Sequence, residues 1–280
     1  MAEIAELKKI ASQVRRDIVR MVGNAQSGHP GGALGCTDFV VALYFHLMKH
    51  DPAFHMEGNG EDIFIMSNGH ISPLLYSVLA RSGYFDVKEL NTFRAINSRL
   101  QGHPTTHEGL PGVRVATGSL GQGVSVACGI ALAKKMNHDD RWIFVLTGDG
   151  ELQEGQIWEA VQFAPHHQID NLILTVDCNN AQIDGMVNDI LSLRDLRSKF
   201  ESFGWKVFEM EGNDVQQVIR TVEEAKKESK QGQPIAILMK TTMGFGVDYM
   251  MDKNKWHGKA PSEEQVSNAM AQLEETLGDF

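Results

Sequence analysis

From Trp142 onward, short apolar runs rich in β-branched residues alternate with stretches of helical periodicity, and this alternation narrows the possible folds more than any other feature. Trp142–Thr147, Leu172–Asp177, Trp205–Met210 and Pro234–Lys240 have the length and composition of buried strands. Between them, Gly155–His166, Leu191–Phe203 and Asp214–Lys230 read as helices. Such a pattern predicts an α/β fold, a mostly parallel sheet with helices on both faces. Ahead of it, Ile4, Leu7, Ile10, Val14, Ile18 and Met21 recur at helical spacing and predict an amphipathic helix. A polar helix is predicted over Ser262–Leu277. With no internal repeat or linker in 280 residues, one domain over 1–280 with a C-terminal helical tail is expected.

In a parallel sheet of this kind, ligands collect beyond the C-terminal ends of the strands. Charge limits what they can be. The 26 basic and 36 acidic residues leave a formal net charge of -10, which argues against nucleic-acid binding. A polyanionic cofactor would need a cation to neutralise it. The N-terminal residues are charged throughout, without the apolar core of a signal peptide, and no run is long enough to span a membrane. Cys36, Cys128 and Cys178 are far apart and match no metal-ligand spacing. A reduced, cytoplasmic setting is expected.

The first chemical signal is Gly148-Asp149-Gly150 at the end of a buried run, followed through Glu154-Gly155 by a helix, a second apolar run and Asn179-Asn180-Ala181-Gln182-Ile183-Asp184-Gly185. Glycines let the backbone turn and approach a ligand closely. Asp149 and Asn179 then stand at the ends of neighbouring strands. Two such oxygen ligands, completed by a carbonyl, water and diphosphate oxygens, suit an octahedral Mg²⁺. Gly-Asp-Gly alone is most often a turn; the whole run carries the specificity. A dinucleotide fold competes, but Gly118-Ser-Leu-Gly121-Gln-Gly123 has the wrong glycine order and no long strand before it. A P-loop is absent.

Histidine supplies the second signal. Four of the 11 histidines sit against glycine: His29 in Gly28-His-Pro-Gly-Gly32, His70 after Gly69, His103 after Gly102, and His257 before Gly258. Imidazoles held on tight turns suit proton movement between hydroxyls and carbonyls near neutral pH. None of the four has the close helical spacing of a zinc motif.

Ser27-Gly-His-Pro-Gly-Gly, Ser67-Asn-Gly-His, Gln101-Gly-His-Pro, Gly118-Ser-Leu-Gly-Gln-Gly, the Gly-Asp-Gly run and Trp256-His-Gly follow one another as they do in the transketolase family, which the chain resembles from about residue 10 to residue 261. The resemblance implies thiamine diphosphate with Mg²⁺, or Ca²⁺ or Mn²⁺ in its place. It implies metal ligands at Asp149, Asn179 and the Ala181 carbonyl. The cofactor would be contacted by His70, Gly118, Leu120, Gly148, Asp149, Gly150 and Asn179, with Glu154 near the subunit interface and in communication with the aminopyrimidine region. His103 is similar to the histidine that meets the donor's C1 hydroxyl and the reaction intermediate. His29 and His257 are similar to the catalytic pair near its C3 hydroxyl. One departure is Thr242-Met243-Gly244-Phe245-Gly246, where many relatives carry Lys-Gly-Lys-Gly.

On this resemblance the reaction is transfer of a two-carbon ketol unit between sugar phosphates. The family's pyrimidine-binding domain, which supplies the glutamate that activates the cofactor, has no counterpart here. A separate C-terminal subunit carrying that domain is expected, most simply in an α2β2 assembly. Two other readings stay open: a subunit of a different thiamine-diphosphate enzyme (a 2-oxo acid dehydrogenase or decarboxylase, or a deoxyxylulose-phosphate synthase-like enzyme), and a non-catalytic cofactor-binding module.

Overall fold

The computed structural model describes residues 3–280. Helix α1 (Ile4–Ala25) leads into two short helices, α2 (Pro30–Gly35) and α3 (Thr37–Ala42). Strand β1 (Ile63–Met66) is followed by α4 (Ser72–Arg81), a long loop and α5 (Gln122–Met136). Then come β2 (Ile143–Gly148), α6 (Gly155–His166) and β3 (Leu172–Cys178). A hairpin of β4 (Ala181–Gln182) and β5 (Gly185–Met186) precedes α7 (Val187–Leu191) and α8 (Leu196–Ser202). The chain continues through β6 (Lys206–Glu211), α9 (Val215–Glu228), β7 (Ile235–Lys240) and α10 (Glu263–Gln272).

The main sheet has the order β1-β2-β3-β7-β6, and every pairing in it is parallel. Side chains alternate across it because successive residues of a strand point to opposite faces. Phe64, Met66, Phe144, Leu146, Ile173 and Ile237 join a core formed with α1, α3, α4 and α9. Ile63, Ile65, Val145, Leu174 and Val176 join a second core with α5, α6 and α8. Chain order steps from β1 to β3, skips to β6 at the edge and returns to β7. The connecting helices change face at that return, from α8 to α9.

Four strands lie within a residue of their predicted positions, whereas β1 was not predicted. The predicted helix over Leu191–Phe203 starts only at Leu196, as α8, and α7 ends where it was expected to begin. Arg194, at a φ of 57°, breaks the path, and Asp195 caps α8 by accepting from Ser198 N at 3.1 Å. The predicted helix over Ser262–Leu277 ends at Gln272. Buried Leu273 then turns the chain back along α1. There Arg16 donates to the Met270 and Leu273 carbonyls, and pairs with Asp279 at 2.7 Å. The predicted helix is present as α1, with Leu7, Ile10, Val14, Ile18 and Met21 buried, but its second half is covered on the polar side as well. Its polar Gln13, Arg15, Arg16 and Asp17 are buried, Arg15 against Asp38 and Asp17 against Arg81.

Candidate functional site

The loops after β1, β2 and β3 converge on one cavity of about 370 Å³, closed on further sides by the His29, Gly118 and His257 segments. Parallel strands bring their C-terminal ends to one edge, which is why sequence-distant loops meet there. Of the predicted residues, His29, His70, Gly118, Leu120, Gly148, Asp149, Gly150, Glu154, Asn179, Ala181 and His257 all line it. His103 lies outside that lining. It is exposed, and its ring packs so closely against Gly118 that a Cβ there would collide with it. Gly118 has a φ of 115°, so both its backbone and its neighbour require glycine.

Asp149 accepts from the amides of Gly150 at 2.8 Å and Asn180 at 2.6 Å, which ties the ends of β2 and β3. Asn180 makes the turn with a φ of 57°. Asn179 Oδ1 accepts from Ala181 N at 2.8 Å, and its Nδ2 donates to Asp177 Oδ2 at 2.7 Å. Glu151 accepts from the amides of Gly121 at 2.9 Å and Gly148 at 3.3 Å and from the Ser67 hydroxyl, joining three loops.

Asp149, Glu151 and Asp177 are 5%, 2% and 1% exposed. Burial, and then the neighbouring Asp177, push the Asp149 carboxyl up to about 7. Burial also raises Glu151 and Asp177. No basic side chain is among the groups acting on any of the three. Buried carboxylates without a basic partner fit a divalent cation. Among the described residues, no three His, Cys, Asp or Glu side chains cluster as a metal group. The available donors are therefore one carboxylate, one amide oxygen and one carbonyl, with room for oxygens from a ligand. That set suits a hard cation such as Mg²⁺.

Three imidazoles form the opposite wall. Ring centroids of His29 and His70 are 5.0 Å apart, those of His29 and His257 5.9 Å, and those of His70 and His257 5.3 Å. Nδ1 of His29 and of His257 is buried with no hydrogen-bond partner among the described residues. Burial, and then His257, lower His29 to about 4; burial, and then His257, lower His70 to about 3. Burial lowers His257 and, with Arg94, His103. All four are thus neutral at pH 7, able to accept a proton. The unfolded chain protonates these side chains near 6.5, ahead of the folded one. Their contribution to stability is therefore complete above that pH and is lost as pH falls toward 4 and then 3. In an NMR titration of histidine-labelled protein, His29 and His70 are expected to show no inflection between pH 8 and pH 5. An inflection near 6.5 at either would contradict the neutral wall.

Sequence reasoning missed Asn68, Glu151, Asp177 and Ile183, all of which line the cavity. Glu151 and Asp177 stood within the runs already singled out, and the signal available was a carboxylate in an otherwise apolar or glycine-rich context. The departing Thr242–Gly246 loop buttresses the histidine wall. A Cβ on Gly31 would fall 2.8 Å from Met243 Cγ, and Gly244 N donates to the Gly31 carbonyl at 2.8 Å. No helix among the described residues is long and apolar enough to cross a membrane.

Residues 7–277 match the family model of the transketolase thiamine diphosphate binding domain. The chain is 38% identical over 271 residues to an apulose-4-phosphate transketolase subunit from Actinobacillus succinogenes, covering 96% of each. It is 39% identical over 270 residues to the 6-deoxy-6-sulfo-D-fructose transketolase subunit SqwG of a Clostridium species, again covering 96% of each. A crystal structure of transketolase from Campylobacter jejuni superposes with a TM-score of 0.90 at 36% identity. That superposition covers 97% of this chain but 43% of the longer one.

Proposed function

Because this chain belongs to the transketolase family, as its thiamine-diphosphate-binding domain, we propose that it is the N-terminal subunit of a two-chain transferase moving a two-carbon ketol unit reversibly from a ketose to an aldose. The observation that carries this reading is one cavity holding both an oxygen-donor set at the ends of β2 and β3 and a wall of neutral imidazoles. Residues 1–280 then form one diphosphate-binding domain.

When bound, thiamine diphosphate supplies the nucleophilic carbon and the electron sink for breaking the C2–C3 bond. Asp149, Asn179 Oδ1 and the Ala181 carbonyl would hold Mg²⁺, and Ca²⁺ or Mn²⁺ would suit the same oxygens. Gly148 and Gly150 let the backbone close on the diphosphate end, and His70, Gly118 and Leu120 face it. The donor's C3 hydroxyl must lose a proton, and His29 and His257, which line the cavity as neutral imidazoles, would take it. His103, whose ring packs against cavity-lining Gly118, would meet the donor's C1 hydroxyl. A 2-oxo acid offers no C3 hydroxyl, so the histidine wall favours the ketol reaction over a 2-oxo acid enzyme.

The partner is a second chain with the pyrimidine-binding domain, most simply in an α2β2 assembly in the cytoplasm. Exposed Glu154, at the cavity edge, is offered to it. Two relatives that are themselves subunits are named for a sugar phosphate and a sulfo sugar, so anionic sugars head the panel of donors and acceptors to assay. His103→Ala in the two-chain enzyme is expected to lower kcat/KM by ~10²-fold or more, the scale of a positioned acid–base group. Cofactor affinity, read by calorimetry, should change little. No ketol transfer to any aldose across the panel would overturn the proposal. Loss of cofactor binding together with turnover in the variant would move His103 into the cofactor grip.

A further inference from the structure

We infer that Asp177 is a positioning residue that decides which end of the Asn179 amide faces the cation. The inference rests on the cofactor-site reading above. An asparagine side chain has two ends of nearly equal shape and opposite chemistry, an acceptor oxygen and a donor nitrogen. Only the oxygen can ligate a cation, and the shape of Asn179 does not choose between them.

The surroundings choose. Asp177, two residues earlier on β3, is 1% exposed and takes Asn179 Nδ2 on its Oδ2 at 2.7 Å. Its other oxygen accepts from the Thr241 hydroxyl just past β7, and the Cys36 thiol bonds to it from the α2–α3 junction. Both Asp177 oxygens act as acceptors, one toward Thr241 and one toward Asn179, so Asp177 holds the nitrogen end of the amide. On the far end, Oδ1 accepts the Ala181 amide at 2.8 Å and keeps a second lone pair free. Thr241 and Cys36 thus clamp Asp177, and Asp177 in turn fixes the rotation of Asn179.

A donor–acceptor exchange tests this. Asn179→Asp puts two carboxyl groups at a contact of 2.7 Å and removes the amide donor between them. Although a carboxylate is ordinarily a good Mg²⁺ ligand, the variant is expected to bind at least ~10-fold more weakly, the scale of losing a hydrogen bond to a charged group. Asp177→Asn alone leaves an amide that can hold either end of Asn179, and is expected to weaken binding by about 3- to 10-fold. The double variant Asp177→Asn/Asn179→Asp restores one donor and one acceptor, keeps the native formal charge and leaves an oxygen for Thr241. It should recover to within about 3-fold of the native chain.

The readout is calorimetric binding of Mg²⁺ with inorganic diphosphate to the full chain, alongside thermal unfolding midpoints. Recovery in the double variant is not what a merely structural carboxylate would give. The inference is overturned if Asn179→Asp alone binds as tightly as the native chain, or if the double variant is no tighter than Asn179→Asp. Should Asn179→Asp fail to fold, a double variant that folds yet binds more weakly than Asp177→Asn overturns it equally. A native chain that takes up no Mg²⁺ and diphosphate at all would instead sink the cofactor-site reading.

Discussion

Replacing Asp149 by alanine is expected to abolish saturable binding of thiamine diphosphate in the presence of Mg²⁺. The protein is acidic overall, and the cavity floor adds Glu151 and Asp177 to that charge. A diphosphate placed there without its cation would face carboxylates and no paired base. Asp149 is also the joint between two strand ends, through the amides of Gly150 and Asn180. Its removal therefore loosens the second ligand as well as deleting the first. The loss should exceed the ~10²-fold that removal of an outer-shell partner costs a metal site. Stability should not fall in step, because burial and Asp177 already oppose the charged form of Asp149. Calorimetric titration of the two-chain enzyme, with thermal unfolding as the control, reads both effects. An unchanged affinity would remove Asp149 from the site.

Equally large is the dependence on a second chain: no ketol transfer is expected from this chain alone, even at saturating cofactor and Mg²⁺, with recovery when the partner is added. On the proposed reading, the oxygen set and the glycine loops would hold only the diphosphate end. The aminopyrimidine end needs a carboxylate in an apolar pocket, and Glu154, exposed at the start of α6, is not in one. The surface beside it is apolar. Ile183 and Leu191 are 63% and 58% exposed, with Ile190 and Met186 near them in sequence and Phe163 and Val126 on α6 and α5. Hydrogen bonds tie these segments together, Gln153 to Gln182 and Leu191, and Gln122 to Gln156. Apolar surface of this kind marks a docking face. Robust turnover by the purified chain, with the partner shown absent by mass spectrometry, would sink the two-chain reading.

The sheet was legible where its strands are buried on both faces, since β2, β3 and β7 then read as uninterrupted apolar runs. Strand β1 was not legible. Its four residues follow Glu61 and Asp62, which look like loop, yet Asp62 accepts from the amides of Lys49 and Trp142 and so pins the strand's entrance. The break before α8 was hidden because Leu191, Leu193, Leu196 and Phe200 keep an apolar rhythm across it; the break lies in the backbone of Arg194. At the site, residues beside glycine could be found from sequence because tight turns leave a mark there. Glu151, after Gly150, and Asp177, at the end of an apolar run, carried such a mark too, but what they do depends on which loops meet them. Ser67, Gly121 and Thr241 are distant in sequence and converge only in the folded sheet.

The hairpin of β4 and β5 carries two unlike things within a few residues: Ala181, buried and lining the cavity where the cation is proposed, and Ile183 and Met186, which are exposed. Ordering this short segment serves both. A partner that covers Ile183 lowers the entropy still to be lost when the cation arrives, and a bound cation presents the same hairpin already set for docking. Assembly and cofactor uptake then become linked equilibria, each raising the apparent affinity of the other by the same factor. Dilution would then weaken the hold on the cofactor, and chelation would weaken assembly, each by that same factor.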